Sequence, residues 1–247
     1  MPKRSRPSSA ERAADDPKSR RHVYGRTKGK TLKPRQAQLM ETLFPKVSIS
    51  LASPVIDPRT LFDNDVRDVW LEVGFGGGEH LAWHAGQNRN IGFLGCEPFI
   101  NGVAKLVSEI DEKKLGNVRI HADDARFLLT RLKPGSLARL FILYPDPWPK
   151  SRHNKRRFVN DETLALIASA LREDGELRFA SDIPDYVVWT LAHIRRFNEA
   201  GKARFEWLAE GPSDWRQRPE DWPQTRYEQK AIREGRLPAY LTFRKKG

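Results

Sequence analysis

The stretch Val69-Trp70-Leu71-Glu72-Val73-Gly74-Phe75-Gly76-Gly77-Gly78-Glu79 decides how this chain folds. Its first half is an apolar run of strand type. Its second half places glycines at the alternate positions 74, 76 and 78, and a helix-like segment follows. A backbone without Cβ turns tightly at such positions and lets a ligand come close. A strand, a glycine loop and a helix in that order open an α/β unit built on a parallel sheet.

The spacing narrows the ligand. A dinucleotide fingerprint, G-x-G-x-x-G, needs glycine at position 79, where the chain has Glu79. The chain reads E-x-G-x-G-x-G instead, with Glu72 two residues ahead of Gly74. An acid there, and no third phosphate-type glycine, suit a cationic ligand that lacks a pyrophosphate. S-adenosylmethionine, a sulfonium amino acid joined to adenosine, meets both conditions. A glycine-rich loop that binds nothing is the plain alternative.

Outward from this loop, strands and helices alternate. Strands are expected near 68–73, 91–96, 117–121, 139–144 and 176–180, with helices near 78–88, 99–114, 124–132 and 160–172. A helix near 184–199, a strand near 204–208 and a last strand at 239–244, able to pair at the sheet edge, complete the order. A short helix-like stretch at 36–44 precedes them. In open parallel sheets ligands sit beyond the carboxyl ends of the strands. Acids recur at those ends: Glu97 after the second strand, Asp123 and Asp124 after the third, Asp146 after the fourth and Asp182 after the fifth. Any one of them alone reads as a helix cap or turn residue; their convergence points to a site. A carboxylate at Glu97 can accept hydrogen bonds from ribose hydroxyls, Asp124 can meet an adenine amino group, and Glu72 can balance a cationic amino-acid end.

A second unusual segment is Tyr144-Pro145-Asp146-Pro147-Trp148-Pro149-Lys150. Its three prolines fix φ repeatedly and stiffen the loop that carries Asp146. Trp148 offers an aromatic face for a base. The run Lys150-Ser151-Arg152-His153-Asn154-Lys155-Arg156-Arg157 follows, with five Lys or Arg and no acid. A charge run is usually a solvated face; adjacency to the acids favours phosphate contacts.

The chain has 247 residues, a net charge of +12 and 38% hydrophobic residues, with no stretch long and apolar enough for a membrane span and no apolar signal segment at its start. Residues 1–35 hold 12 Lys or Arg against three acids, nine of the net positive charges. This basic arm is expected to be disordered alone and to touch nucleic acid, ahead of a single domain at 36–247. The lone Cys96 excludes an internal disulfide, fits a small buried position and makes a reducing cytoplasm the expected setting. His80 and His84 share a helix face, but Leu81 stands where a zinc protease motif needs Glu and no third ligand is evident, so no metal is expected. Monomer and homodimer are both open.

Taken together, Glu72-x-Gly74-x-Gly76-x-Gly78, Pro145-Asp146-Pro147-Trp148-Pro149-Lys150, Arg152-His153-Asn154-Lys155-Arg156-Arg157 and Thr225-Arg226-Tyr227-Glu228-Gln229 resemble the bacterial tRNA (guanine-N7-)-methyltransferase family across residues 36–247. The resemblance implies a Rossmann-like class I methyltransferase fold: a mostly parallel seven-stranded sheet, helices on both faces and an antiparallel C-terminal strand. It implies methyl transfer from S-adenosylmethionine to N7 of guanine 46 in the variable loop of tRNA. By motif match, Glu72, Gly74, Gly76, Gly78, Glu97, Asp124 and Asp146 would line the cofactor site, with Asp146 catalytic. Lys150, Asp182, Thr225, Arg226, Tyr227 and Glu228 would contact the substrate, and Arg152, His153, Asn154, Lys155, Arg156 and Arg157 would face RNA. Two other readings stand beside it. An N6-adenine or N4-cytosine methyltransferase would need a second proline where Trp148 stands, and a non-catalytic RNA-binding protein would have no use for Glu72, Glu97 and Asp146.

Overall fold

The computed structural model describes residues 24–25, 27–201 and 203–247. Seven strands form one sheet: β1 (Asp68–Val73), β2 (Ile91–Cys96), β3 (Val118–His121), β4 (Leu137–Leu143), β5 (Leu171–Ser181), β6 (Arg204–Trp207) and β7 (Ala239–Lys246). Their spatial order is β3-β2-β1-β4-β5-β7-β6, so the chain reverses its direction of growth between β1 and β4. β1 to β5 pair in parallel, and β7 runs antiparallel to both β5 and β6. The last strand is therefore interior and β6 forms that edge, because β7 offers Tyr240, Leu241 and Phe243 for burial while β6 buries only Phe205.

The helices are α1 (Pro34–Thr42), α2 (Phe44–Val47), α3 (Glu79–Gln87), α4 (Ile100–Lys113), α5 (Ala125–Leu129), α6 (Asp161–Ala170), α7 (Pro184–Glu199), α8 (Ser213–Arg216) and α9 (Arg226–Arg233). α4 shows why these segments are helical. Val103, Leu106, Val107 and Ile110 recur at helical spacing and are all buried. α6 is started by an Asn160–Thr163 capping box. Two apolar layers cover the sheet. One joins Val69, Leu71 and Val73 of β1 to β4, β5, α6 and α7; the other joins Phe93 of β2 to Leu81 of α3 and Leu106 of α4.

Several boundaries differ from the sequence expectation: β5 begins at Leu171, where a helix is expected through residue 172 and the strand only from 176. The arm's limit at residue 35 falls inside α1, which begins at Pro34 as a proline in the first helical turn allows. Part of the expected arm also lies on the domain: Ile100 N–H donates to Thr27 O at 3.0 Å, and Gly29 N–H donates to Asn101 Oδ1 at 2.7 Å. The arm's residues 1–23 lie outside the described residues. α9 has no counterpart among the expected elements, since only Glu228 and Ala231 of its eight residues are buried.

Candidate active site

A cleft of about 550 Å³ opens at the carboxyl ends of β1 to β4, beside the reversal of strand order. That is where the topology of an open parallel sheet places a ligand, and the volume suits a small molecule. Gly74, Gly76, Glu97, Asp123, Asp124, Asp146 and Tyr227 line it. Gly74 (φ 71°), Gly76 (φ 56°) and Gly78 (φ 81°) all take the left-handed conformation, which is why residues with a Cβ are disfavoured there. The loop also lies hard against α4: a Cβ on Gly102 would collide with Gly76 O. Gly78 itself caps α3 against Leu106 and does not line the cleft.

Glu97 braces the loop. Its Oε2 accepts the Gly76 N–H at 2.8 Å and its Oε1 accepts the Phe99 N–H at 2.9 Å. Burial raises its pKa, the two amide donors oppose that shift, and Asp146 and Glu72 add to it. Each oxygen keeps a lone pair for a hydroxyl of a ligand. Asp146 faces the same space from the opposite wall. It is open to solvent, yet the protein around the cleft raises its carboxyl pKa. The backbone around it is strained, for Tyr144 (φ 49°) and Trp148 (φ 44°) are left-handed without being glycine.

Other expected residues stand elsewhere. Glu72, expected at the cofactor, does not line the cleft. It is buried beneath the glycine loop, with His80 Nδ1 2.8 Å from its Oε2 and His84 Nε2 3.2 Å from His80 Nε2. Alternation along β1 turns Glu72 to the opposite face from Leu71 and Val73, and so away from the cleft. Asp124 lines the cleft, but it caps α5 and both its oxygens meet Arg126 Nε, at 3.0 and 3.1 Å. Asp123 lines it as well. Asp182 lies outside, 2.5 Å from Arg236 Nε.

The basic run divides. Lys150, Arg152 and Lys155 are exposed, and His153 and Asn154 are half-buried on a 3₁₀ turn, Ser151–Arg156. The Arg156 guanidinium lies 4.9 Å from both the Tyr24 and Trp148 rings. Arg157 is buried and does not face outward at all. In the C-terminal motif Thr225 caps α9 by accepting the Glu228 N–H at 3.2 Å, Arg226 pairs with Glu79, and Tyr227 stands exposed over Gly76. Glu228 is buried, accepting from Tyr240 Oη at 2.7 Å and lying 3.1 Å from Arg218 Nε. It does not line the cleft.

Sequence reasoning missed Tyr24, Gly25, Arg126 and Phe158, which also line the cleft. Tyr24 is the only Phe, Tyr or Trp in residues 1–35, which is the one signal that sets it apart. Cys96 is buried at the cleft floor, and burial raises its thiol pKa.

A glycine loop braced by a strand-end acid, on this sheet order with an inserted antiparallel β7, defines a class I methyltransferase. A family profile described as "Putative methyltransferase" matches residues 66–239. Curated relatives named tRNA (guanine-N(7)-)-methyltransferase include those of Ruegeria sp. (50% identical over 91% of this chain and 88% of the relative) and Ruegeria pomeroyi (51% identical, 92% and 95%). Among solved structures, the 16S rRNA methyltransferase KamB is similar in fold, with a TM-score of 0.51 at 19% identity, covering 76% of this chain and 91% of that one. The chain belongs to the tRNA (guanine-N7-)-methyltransferase family. Among the described residues no helix is long and apolar enough to cross a membrane, and no group of three or more His, Cys, Asp or Glu could hold a metal ion.

Proposed function

We propose that this chain methylates N7 of guanine 46 in the variable loop of tRNA, in the cytoplasm, with S-adenosylmethionine as donor. The observation that carries this reading is the cleft itself: Glu97 and Asp146 face one another across Gly74 and Gly76, and the exposed cations Lys150, Arg152 and Lys155 continue from its Trp148 wall. The cofactor fits the donor set. Glu97 offers acceptors for ribose hydroxyls, left-handed Gly74 leaves open space above the loop, and the acids suit a cationic ligand.

The cofactor supplies a methyl group on a positively charged sulfur. Guanine N7 has an in-plane lone pair and no proton, so no side chain has to act as a base. The residues align the purine and hold negative charge where the ring becomes positive. Asp146 is placed for that role on its stiff loop, and it can accept hydrogen bonds from the guanine N1–H and amino group. Tyr227 over the glycine loop and Trp148 give aromatic faces for a base. Lys150, Arg152 and Lys155 suit phosphates.

Incubating the protein with labelled cofactor and bulk tRNA, then analysing nucleosides, should yield 7-methylguanosine. N6-methyladenosine or N4-methylcytosine would support the rival enzyme, and no transfer would support a binding protein. Asp146→Ala should keep the fold and the thermal transition yet lose most turnover; an unchanged kcat would reject its catalytic role.

A further inference from the structure

Arg157 ends the basic run, but its side chain is turned away from solvent. Its relative exposure is 1%. The guanidinium lies 5.0 Å from the Tyr186 ring centroid and 5.1 Å from that of Trp189. Its Nε donates to the Pro147 carbonyl at 2.9 Å, and one terminal nitrogen pairs with Asp185 in the first turn of α7. Phosphate binding from this position would require unpacking α7.

The Asp146 loop has a particular need for such a donor. Pro145, Pro147 and Pro149 carry no N–H, so the loop cannot tie itself down through those amides. Its entry is held by Tyr144 N–H donating to Ala180 O at 2.8 Å. Beyond that point the Pro147 carbonyl, the next peptide after Asp146, is held by Arg157. Two left-handed non-glycine residues bracket the segment, and such strain persists only where surrounding contacts impose it. A buried guanidinium is costly unless paired. Asp185 and the two aromatic rings offset part of that cost, while Nη1 is buried without a hydrogen-bond partner among the described residues; α7 begins two residues after Asp182.

We propose that Arg157 is a positioning residue for the reaction: by gripping the Pro147 carbonyl and Asp185 it fixes the Asp146 carboxylate across the cleft from the glycine loop. This rests on the reading that Asp146 is catalytic. Arg157 does not touch RNA. Loss of the grip displaces the loop, and displacement of about 1 Å near reacting atoms costs up to roughly 100-fold in rate.

The test compares Arg157→Lys, Arg157→Gln and Asp185→Ala with Arg152→Ala and Asp146→Asn, using full-length protein and tRNA. Arg157→Lys should lower kcat by about tenfold or more while KM for tRNA and the salt dependence of binding stay as in the parent. Arg157→Gln keeps a donor near the Nε position but loses the charge that pairs with Asp185, so it should lower kcat at least as much as Arg157→Lys. Affinity for S-adenosylhomocysteine, measured by calorimetry, should fall in both. Arg152→Ala should instead weaken the salt dependence of binding and raise KM for tRNA, the two readouts that Arg157→Lys leaves unmoved. A reduced salt slope in Arg157→Lys, or a parental kcat, overturns the proposal. If the Arg157 variants do not fold, Asp185→Ala decides: it leaves Arg157 in place without its carboxylate, and a parental kcat again overturns the proposal. Full activity in Asp146→Asn would instead overturn the catalytic reading on which it rests.

Discussion

Glu97 shows how one side chain serves structure and chemistry together. Its carboxylate accepts one backbone amide from the glycine turn and one from the start of α4, and it still faces the cleft. Because burial raises its pKa, protonation begins at a higher pH than for an ordinary carboxylate. A cationic ligand favours the ionised form, so affinity for the cofactor should fall as the solution is acidified through that raised pKa. Glu97→Gln should bind more weakly at neutral pH and show a flatter pH dependence; equal slopes in calorimetric titrations would reject this role. For the ligand-free protein the sign is opposite. A raised folded-state pKa contributes stability at low pH that is lost as pH rises through it.

At the scale of elements, the glycine loop is seated on α4. Gly102→Ala would drive a Cβ into the Gly76 carbonyl. Overpacking of this kind costs typically ~1–3 kcal/mol, and here the displaced backbone is the cleft floor. The variant should therefore melt earlier and bind S-adenosylhomocysteine at least several-fold more weakly; parental affinity would show that the loop yields without consequence. The segment before α1 is a second case. Tyr24 and Gly25 line the cleft, and Thr27, Gly29 and Lys30 bond to the start of α4. Deleting residues 1–33 should thus weaken cofactor binding as well as RNA binding. Unchanged cofactor affinity after deletion would show that this segment adds nothing to the cleft.

For the whole molecule, charge and burial set the pH and salt responses. Of the five cations between 150 and 157, only Lys150, Arg152 and Lys155 are exposed. Replacing Arg152 and Lys155 with Ala should lower the slope of log affinity against log salt by roughly 0.7–0.9 for each phosphate that is no longer neutralised. An unchanged slope would reduce this surface to a solvated face. Stability has its own titration. Burial, with smaller contributions from His80, Arg139 and Arg178, holds the His84 pKa at about 2. An unfolded histidine titrates near ~6.5. A depressed folded-state pKa gives stability that is complete above about pH 6.5 and is lost as pH falls below it. Melting temperatures should decline on acidification from that point. His84→Gln should remove part of the decline, and His121, also held low chiefly by burial, should retain part; an identical decline in His84→Gln would show that His84 does not titrate on unfolding.

Much of this was written in the chain itself. Local order along the backbone sets hydrophobic periodicity, so β1, β2 and α7 stand where their apolar spacing and flanking Gly and Pro place them. The strand-end positions of Glu97 and Asp146 follow from the same periodicity. Tertiary packing decided the rest, because it depends on partners far away in sequence. It put β7 inside the sheet, where its apolar residues are buried. It turned Glu72 toward His80, sank Arg157 between Tyr186 and Trp189, and buried Glu228 beside Tyr240. A motif names the residue types that a site can use; only the three-dimensional neighbours determine whether a charge meets solvent, a ligand or another side chain.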